Sequence, residues 1–484
     1  MSNPISIENA LTGTSAWDIR SNIATIEIQA YADQQSLDAG STLNFFVSTQ
    51  AASTTYTMTI FRLGWYGGTG GCLKYTSAVQ IGIAQGYWNE GNQTLTNCPT
   101  AIIDNSTHLI DAGWTSTDSW TVPSNAVTGM YVAVFTDANN KATQVTFVVR
   151  GNATADYLVS HPCTTDAAYN DWGGWSLYTN PTVGVKVSFN RPQSVYVLGG
   201  QTLGWAVFAY EIQAIHWLES QGYDLSYICI LDLHTTPGIT LTHKAYISLG
   251  HDEYWTYAMR AEVESAASHH KGLAFLGANA CYWQCRLEAD STGNANRTVV
   301  CYKVEKALNN YANDPQYGAD NTKVTTLWRD PLLRRPENML AGIMFYDDTH
   351  GSNAAWTVDT NATSSFLTGT GLTPGQSYGT DIVGYEWDNI FPSPPGPNNV
   401  QIIGTSSQTG VAFGASKSNT ITYINPGGGL VFASGSMSWA NCLDTYRWSG
   451  ATPAVVAGMQ TLFANILATL IVVPPSVSFS MVQV

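Results

Sequence analysis

Charge is what this sequence has least of. Asp, Glu, Lys and Arg make up 11% of its 484 residues, against about 25% in typical soluble proteins. Its surface must therefore be polar without being charged, and Gly, Thr, Ser and Asn are abundant enough to supply that. With aromatics at 12%, this composition points to a β-rich protein. The little charge present is lopsided: 20 basic against 35 acidic residues give a net charge of −15. Such a chain repels phosphate backbones, which argues against a nucleic-acid partner. Cysteine is sparse and scattered, at positions 72, 98, 163, 229, 281, 285, 301 and 442. No CxxC and no Cys/His zinc-finger spacing occurs. A Cys72–Cys98 disulfide stays open, because spacing does not decide it. Long apolar runs are also scarce. Met1–Ser21 has no basic segment followed by an apolar one, so no signal peptide is visible. That fits a cytoplasmic chain, or an exported one whose leader has been removed. Val455–Val473 approaches membrane-span length. It carries Gln460 and Asn465 and ends at Pro474-Pro475, so it reads as a closing core helix, and no membrane association is expected. No internal repeat is evident.

What is present falls into more than one domain, since 484 residues exceed a single core. After an N-terminal extension (1–23), residues 24–150 alternate apolar and polar with period two, as in 42–48 and 56–62. Short strands at this spacing, separated by Asp/Gly/Ser turns, predict an all-β sandwich of the immunoglobulin-like kind. The glycine-rich run 62–71 lacks the Lys-Ser/Thr of a phosphate-binding loop and precedes no helix. It reads as an aromatic-bearing turn that packs on the next domain. From 155 to 473 the pattern becomes strand, helix, strand. Strands are expected at 157–160, 227–231, 245–249, 273–276 and 429–433, with helices at 205–221, 258–268 and from 454. This alternation predicts an α/β domain with a mostly parallel sheet. Residues 340–425, rich in Thr, Ser, Asn and Gly, predict a β-rich insertion, and 474–484 form a C-terminal tail.

The most informative segment is Gly250-His251-Asp252-Glu253-Tyr254-Trp255. It places an imidazole, two carboxylates and a phenol between a predicted strand and a predicted helix. Ligands of open α/β sheets bind beyond the carboxyl ends of strands. An Asp or Glu acting as helix N-cap is the plainer reading of the same residues. Other functional side chains follow other predicted strands: Asp232 and His234, Asn279 and Cys281, and Trp439. If the strands are adjacent and parallel, these loops crowd one edge of the sheet. Three mechanisms are compatible with the residues. Cys281 could act as a nucleophile with His251 as base and Glu253 orienting the imidazole, although Tyr282-Trp283 crowd the turn. Tyr254, a carboxylate and a second tyrosine could hold a hard Lewis-acidic metal such as iron(III). His251 with Asp252 or Glu253 could activate water without a metal.

Several stretches resemble the large, catalytic subunit of N,N-dimethylformamidase and its bacterial relatives. They are 169–178 (YNDWGGWSLY), 217–224, 250–255, 275–283, 328–331, 335–337, 383–388 (VGYEWD) and 429–439, together with 62–68 in the first domain. The resemblance covers most of the chain. It implies a β-sandwich followed by a domain like class I glutamine amidotransferases. It also implies hydrolysis of a small amide, of the formamide type, at a mononuclear iron (Fe3+) held by two tyrosines and a glutamate. Carried over, Tyr254 is a metal ligand. The second tyrosine is Tyr223, with Tyr210 as the alternative. The glutamate is Glu337, with Glu288 as a more distant alternative. His251 or Glu253 would move protons, beside Asp252, and Asn279 would donate to the developing oxyanion. Asn170, Trp172, Asp232, His234, Cys281 and Trp439 would line the substrate pocket. Asp252 departs from the family pattern, which has proline there. A homo-oligomer or a small accessory subunit fits the resemblance. The contrasting reading is a relative without activity that serves as a surface or assembly protein.

Overall fold

Period-two alternation in the first 150 residues builds two facing sheets. In the computed structural model, which describes residues 3–178, 183–194, 207–303, 310–349, 353–362, 364–391 and 396–472, these strands are β1 (Ile28–Ala32), β2 (Ser36–Asp38), β3 (Thr42–Thr49), β4 (Thr55–Leu63), β5 (Gly71–Thr76), β6 (Asp118–Thr121), β7 (Gly129–Asp137) and β8 (Ala142–Arg150). One sheet runs β1-β3-β6 and the other β2-β8-β7-β4-β5. Their inner faces meet through Phe45, Trp120, Tyr131, Phe135 and Phe147. Phe45 packs edge-on against both Phe135 and Phe147. Large rings at alternate positions fill the space between two sheets with few side chains.

The second half is organised by a seven-stranded sheet. Its strands are β9 (Tyr157–His161), β10 (Leu225–Cys229), β11 (Ala245–Ser248), β12 (Gly272–Phe275), β13 (Gln401–Gly410), β14 (Gly414–Ile424) and β15 (Leu430–Ala433). Their order is β10-β9-β11-β12-β15-β14-β13. The first five are parallel, and β14 and β13 close the edge in antiparallel fashion. Every residue of β9 to β12 and of β15 is buried. Strands covered on both faces carry apolar runs rather than alternation, which is why short unbroken stretches such as Leu273–Phe275 announce them. The longer helices are α1 (Cys163–Tyr169), α2 (Ile212–Ser220), α3 (Tyr257–Ser268) and α4 (Pro453–Leu470). The protein is thus β-rich with several sheets. Residues 401–424, expected within an insertion, extend the main sheet itself.

Details differ from the sequence reading at several points. The helix expected from Trp205 is a π-helical turn, Val207–Glu211, leading into α2; Trp205 and the 474–484 tail lie outside the described residues. Cys72 and Cys98 are free thiols, and the disulfide is Cys163–Cys229. It ties the start of α1 to the end of β10. α4 buries Met459, Leu462, Phe463, Ile466 and Leu467. Its amides are occupied, since Gln460 donates to Leu443 O and Asn465 to Phe366 O. The helix is long and apolar enough to cross a membrane, but its apolar face serves this core. The glycine-rich turn sits at the junction of the two halves. There Arg62, at the end of β4, makes a fully buried pair with Glu219 of α2 at 2.8 Å.

Candidate functional site

Two glycines let the loops after β11 and β12 touch. Gly250 adopts φ +56, in the left-handed region that favours glycine. A Cβ on Gly277 would lie 1.9 Å from Gly250 O. No larger residue fits that crossing, which sets the His251 loop against the Asn279 loop. The motif is then pinned by its own carboxylate. Ser248 donates to Asp252 Oδ2 at 2.7 Å and the Trp255 indole to Oδ1 at 2.8 Å. The helix N-cap is Thr256, whose hydroxyl accepts from Met259 N. Tyr254–Thr256 forms a short strand beside Trp283–Cys285. The acidic residues of the motif are therefore free of capping duty.

Glu253 is the centre of a buried polar cluster. The Tyr178 hydroxyl donates to it, 2.6 Å from both Oε1 and Oε2, and the Tyr169 hydroxyl reaches Oε2 at 3.2 Å. The Tyr254 hydroxyl donates to Tyr178 Oη at 2.7 Å. His251 Nε2 lies 3.3 Å from Glu253 Oε2, 3.1 Å from Tyr169 Oη and 3.8 Å from Glu386 Oε2. Asn279 Nδ2 donates to Glu386 Oε2 at 3.0 Å, and the Asn279 backbone N–H donates to Asp388 Oδ1 at 2.8 Å. The Lys303 ammonium hydrogen-bonds Tyr254 Oη and stands 3.2 Å from the centroid of the Tyr178 ring. His251 and Tyr254 are wholly buried, and Glu253, Tyr169, Asn279, Glu386 and Lys303 nearly so.

This packing drives the two carboxyls apart in acidity. Burial pushes Glu386 up to about 7, against the opposing pull of His251. Burial also disfavours the Glu253 anion, but the His251 hydrogen bond and charge, with Lys303, hold it below the ordinary carboxylate range. Burial works against the imidazolium of His251, yet the Glu386 charge and the Glu253 hydrogen bond carry it up to about 9. The phenols of Tyr169, Tyr178 and Tyr254 are raised well above their usual value, first by burial and then by Glu253. Two carboxyls on one imidazole, one easily ionised and one not, can divide acid and base roles.

The structure gathers His251, Glu253, Tyr254 and Asn279, and it disperses the other predicted residues. Tyr223 packs edge-on against Tyr157 and beside Trp217. Glu337 is committed to Arg329 at 3.0 Å, and Glu288 pairs with Lys186 and Arg286. None of these three joins the Glu253 cluster. The buried phenol of Tyr210 feels the Glu386 charge without a hydrogen bond to Glu253. Asp252 holds the loop as described. Asp232 pairs with Arg150 and accepts from Ser36 on the sandwich, and His234 Nδ1 is 2.9 Å from Thr256 Oγ1. Asn170 accepts from the Trp172 and Ser194 amides, and Trp172 stacks edge-on with Trp114. Trp439 packs on Phe432 and Phe463. Burial raises the Cys281 thiol far above its usual value, which removes the thiolate that nucleophilic chemistry needs. Glu386, Tyr169, Tyr178 and Lys303 were not singled out as site residues from the sequence. The first three lie inside the stretches that carry the family resemblance, which was the available signal.

Comparison with known proteins bears on the family more than on the fold. Solved structures of low similarity include the Pseudomonas fluorescens alkylpurine DNA glycosylase AlkC bound to abasic-site DNA (10% identity, 26% of this chain, 32% of that chain, TM-score 0.16). Another is a Paenibacillus cycloisomaltooligosaccharide glucanotransferase complexed with cycloisomaltoheptaose (12% identity, 42% and 27%, TM-score 0.16). A third is the Bacillus subtilis sporulation control protein Spo0M (8% identity, 27% and 51%, TM-score 0.15). The chain spans at most about half the length of these proteins, and scores this low carry no argument. A search of curated protein sequences finds no match. The family assignment rests instead on a sequence model that takes in β4, the whole Glu253 cluster and Glu386. That model, described as N,N-dimethylformamidase beta subunit-like, C-terminal, matches residues 57–452, and the chain belongs to this family.

Proposed function

We propose that this protein hydrolyses the C–N bond of a small carboxamide of the formamide type, with the Glu253 cluster as its active centre. The observation that carries the proposal is the His251 imidazole set between two buried carboxyls of opposite tendency. Family membership supports the same reaction class. Glu386, near its midpoint at neutral pH, is suited to take a proton from the attacking water and return it to the departing amine nitrogen. The His251 imidazolium lies beside both carboxyls and balances charge as the carbonyl oxygen becomes anionic. Asn279 Nδ2 holds Glu386 in place and offers its other N–H to the substrate oxygen. The buried phenols and the indole of Trp255 exclude bulk water, which strengthens each of these interactions.

An iron ion is the cofactor the family resemblance implies. Among the described residues no group of three or more His, Cys, Asp and Glu could hold a metal ion, and the resemblance implies tyrosine donors. Three phenols joined to one ionised carboxylate fit a hard cation. Tyr178, Tyr254 and Glu253, with Tyr169 beside them, would hold it, in place of the Tyr254, Tyr223 and Glu337 set expected from sequence. When bound, the ion would supply Lewis acidity toward the amide carbonyl and toward water. The Lys303 ammonium stands against the same phenols, whose protons burial and Glu253 otherwise hold firmly.

We also assign the parallel sheet to the class I glutamine amidotransferase type, with a division into domains at 24–150 and 155–473. The strand-end position of the site supports that assignment. The beta-subunit description of the family supports assembly with a further subunit. The reaction is tested by assaying amine release from N-substituted formamides with iron-loaded protein and its Glu386→Gln variant.

A further inference from the structure

A second polar site lies where the sandwich meets the α/β layer. A cavity of about 80 Å3 is lined by Ala30, Tyr31, Gln35 and Thr146 from the sandwich, and by His161, Asp166 and Arg191 from the other side. Half-buried Gln35, Thr146 and Gln193 form its mouth. Two of its charged walls have unused hydrogen-bonding capacity. Asp166 is 9% exposed and Arg191 3% exposed, yet Asp166 Oδ1 and Arg191 Nε have no hydrogen-bond partner among the described residues. The rest of each side chain is occupied. Asp166 Oδ2 lies 3.4 Å from His161 Nε2, and His161 Nδ1 is 3.1 Å from Glu211. The terminal nitrogens of Arg191 hold the carbonyls of Asn170, Trp172 and Trp175.

A buried charged atom left without a hydrogen bond keeps its full desolvation penalty. Retaining one acceptor and one donor in the same cavity suits a ligand that offers one of each. Volume bounds its size, since about 10–15 Å3 of such space takes one water-sized group. The cavity therefore admits roughly five to eight heavy atoms.

We propose that this cavity is a second, non-catalytic binding site for a small carboxamide, whose N–H donates to Asp166 Oδ1 and whose carbonyl accepts from Arg191 Nε–H. Helix α1 links the cavity to the Glu253 cluster. Asp166 lines this cavity, and Tyr169, three residues on in the same helix, reaches Glu253. Occupancy would join the sandwich to the element that bears Tyr169. The site stands on its own residues and is independent of the reading of the Glu253 cluster.

The test is calorimetric titration of the full chain with acetamide, in the Glu386→Gln background so that turnover adds no heat. Acetate and methylammonium, each matching only one of the two free groups, are the controls. Saturable acetamide binding is expected, with both controls about tenfold weaker or more, as one hydrogen bond to a buried charge implies. Thr146→Phe, which fills the mouth from the sandwich side, should remove one acetamide-binding event per chain while the circular dichroism spectrum is kept, a loss that binding at the Glu253 cluster would not show. Asp166→Ala should weaken it about tenfold or more. The proposal is overturned if acetamide gives no saturable heat, if folded Thr146→Phe binds as the parent does, or if the controls bind equally well.

Discussion

The Tyr178 hydroxyl stands 2.6 Å from each carboxylate oxygen of Glu253, across 75 residues of chain. One phenolic proton placed in this way is shared between the two oxygens as a bifurcated hydrogen bond. The same oxygen is one of the phenol donors proposed above for iron. Tyr178→Phe removes that oxygen and leaves the packing against the Tyr169 ring, 4.1 Å between centroids. We predict a loss of iron affinity of about tenfold or more, with loss of any visible tyrosinate band. Elemental analysis and absorption spectroscopy of parent and variant check this. An unchanged iron content would remove Tyr178 from the proposed donor set.

Arg62 and Glu219 join the two halves of the molecule with no solvent access to either side chain. Arg62 also donates to Thr128 O through two nitrogens. Truncating one member of such a pair leaves a buried, uncompensated charge. Glu219→Ala should cost about 3–5 kcal/mol, and an Arg62→Met, Glu219→Leu double variant should recover much of it. Denaturant unfolding of the three proteins measures both effects. Similar stability of single and double variants would contradict the buried-charge explanation.

The His161 and Asp166 pair gives the fold a pH dependence of definite sign. His161 is opposed by burial but raised to about 9 by Glu211, Asp166 and Asp252. Asp166 is raised to about 7 by burial, with His161 and His251 pulling down and Glu211 pushing up. Both therefore bind protons more tightly folded than unfolded, and stability falls with pH wherever that holds. The His161 contribution is complete below its ordinary 6.5 and is lost as pH rises through about 9. The cost of ionising buried Asp166 grows between its ordinary 3.8 and about 7. Lowered surface carboxylates such as Asp104, at about 2, have finished titrating below that window. The melting temperature should decline from about pH 5 to pH 9, and Asp166→Asn should flatten the lower part. A melting temperature that rises over this range would refute the assignment.

Much of the architecture could be read from the chain because local pattern and burial agree. Leu273–Phe275 and Ala245–Ile247 are apolar along their length since both faces of the sheet are covered. His251 and Glu253 stood out because charge is so scarce that two acids and an imidazole together are conspicuous. The ligand set did not follow in the same way. Glu337 is the nearest glutamate downstream of Trp328, but Arg329 lies eight residues before it and claims it. Glu386 joins through Asn279, 107 residues away, and the 383–388 segment is tied to the loop after β15 by the Asp388 N–H donating to Gly435 O at 3.0 Å. Tyr178 needed the turn after α1 to bring its ring beneath Glu253. Each is a long-range juxtaposition without a local periodic signature.

A centre in which Glu386 and Glu253 share His251 to hydrolyse an amide is tested most directly by steady-state amine release from N,N-dimethylformamide, for iron-loaded parent protein and for Glu386→Gln. We expect turnover by the parent, and a fall in kcat of about 10²–10⁴-fold in the variant, as loss of a general acid–base group entails, with iron content unchanged. Equal turnover by the two proteins, or none by iron-loaded parent on this and other small formamides, would contradict it.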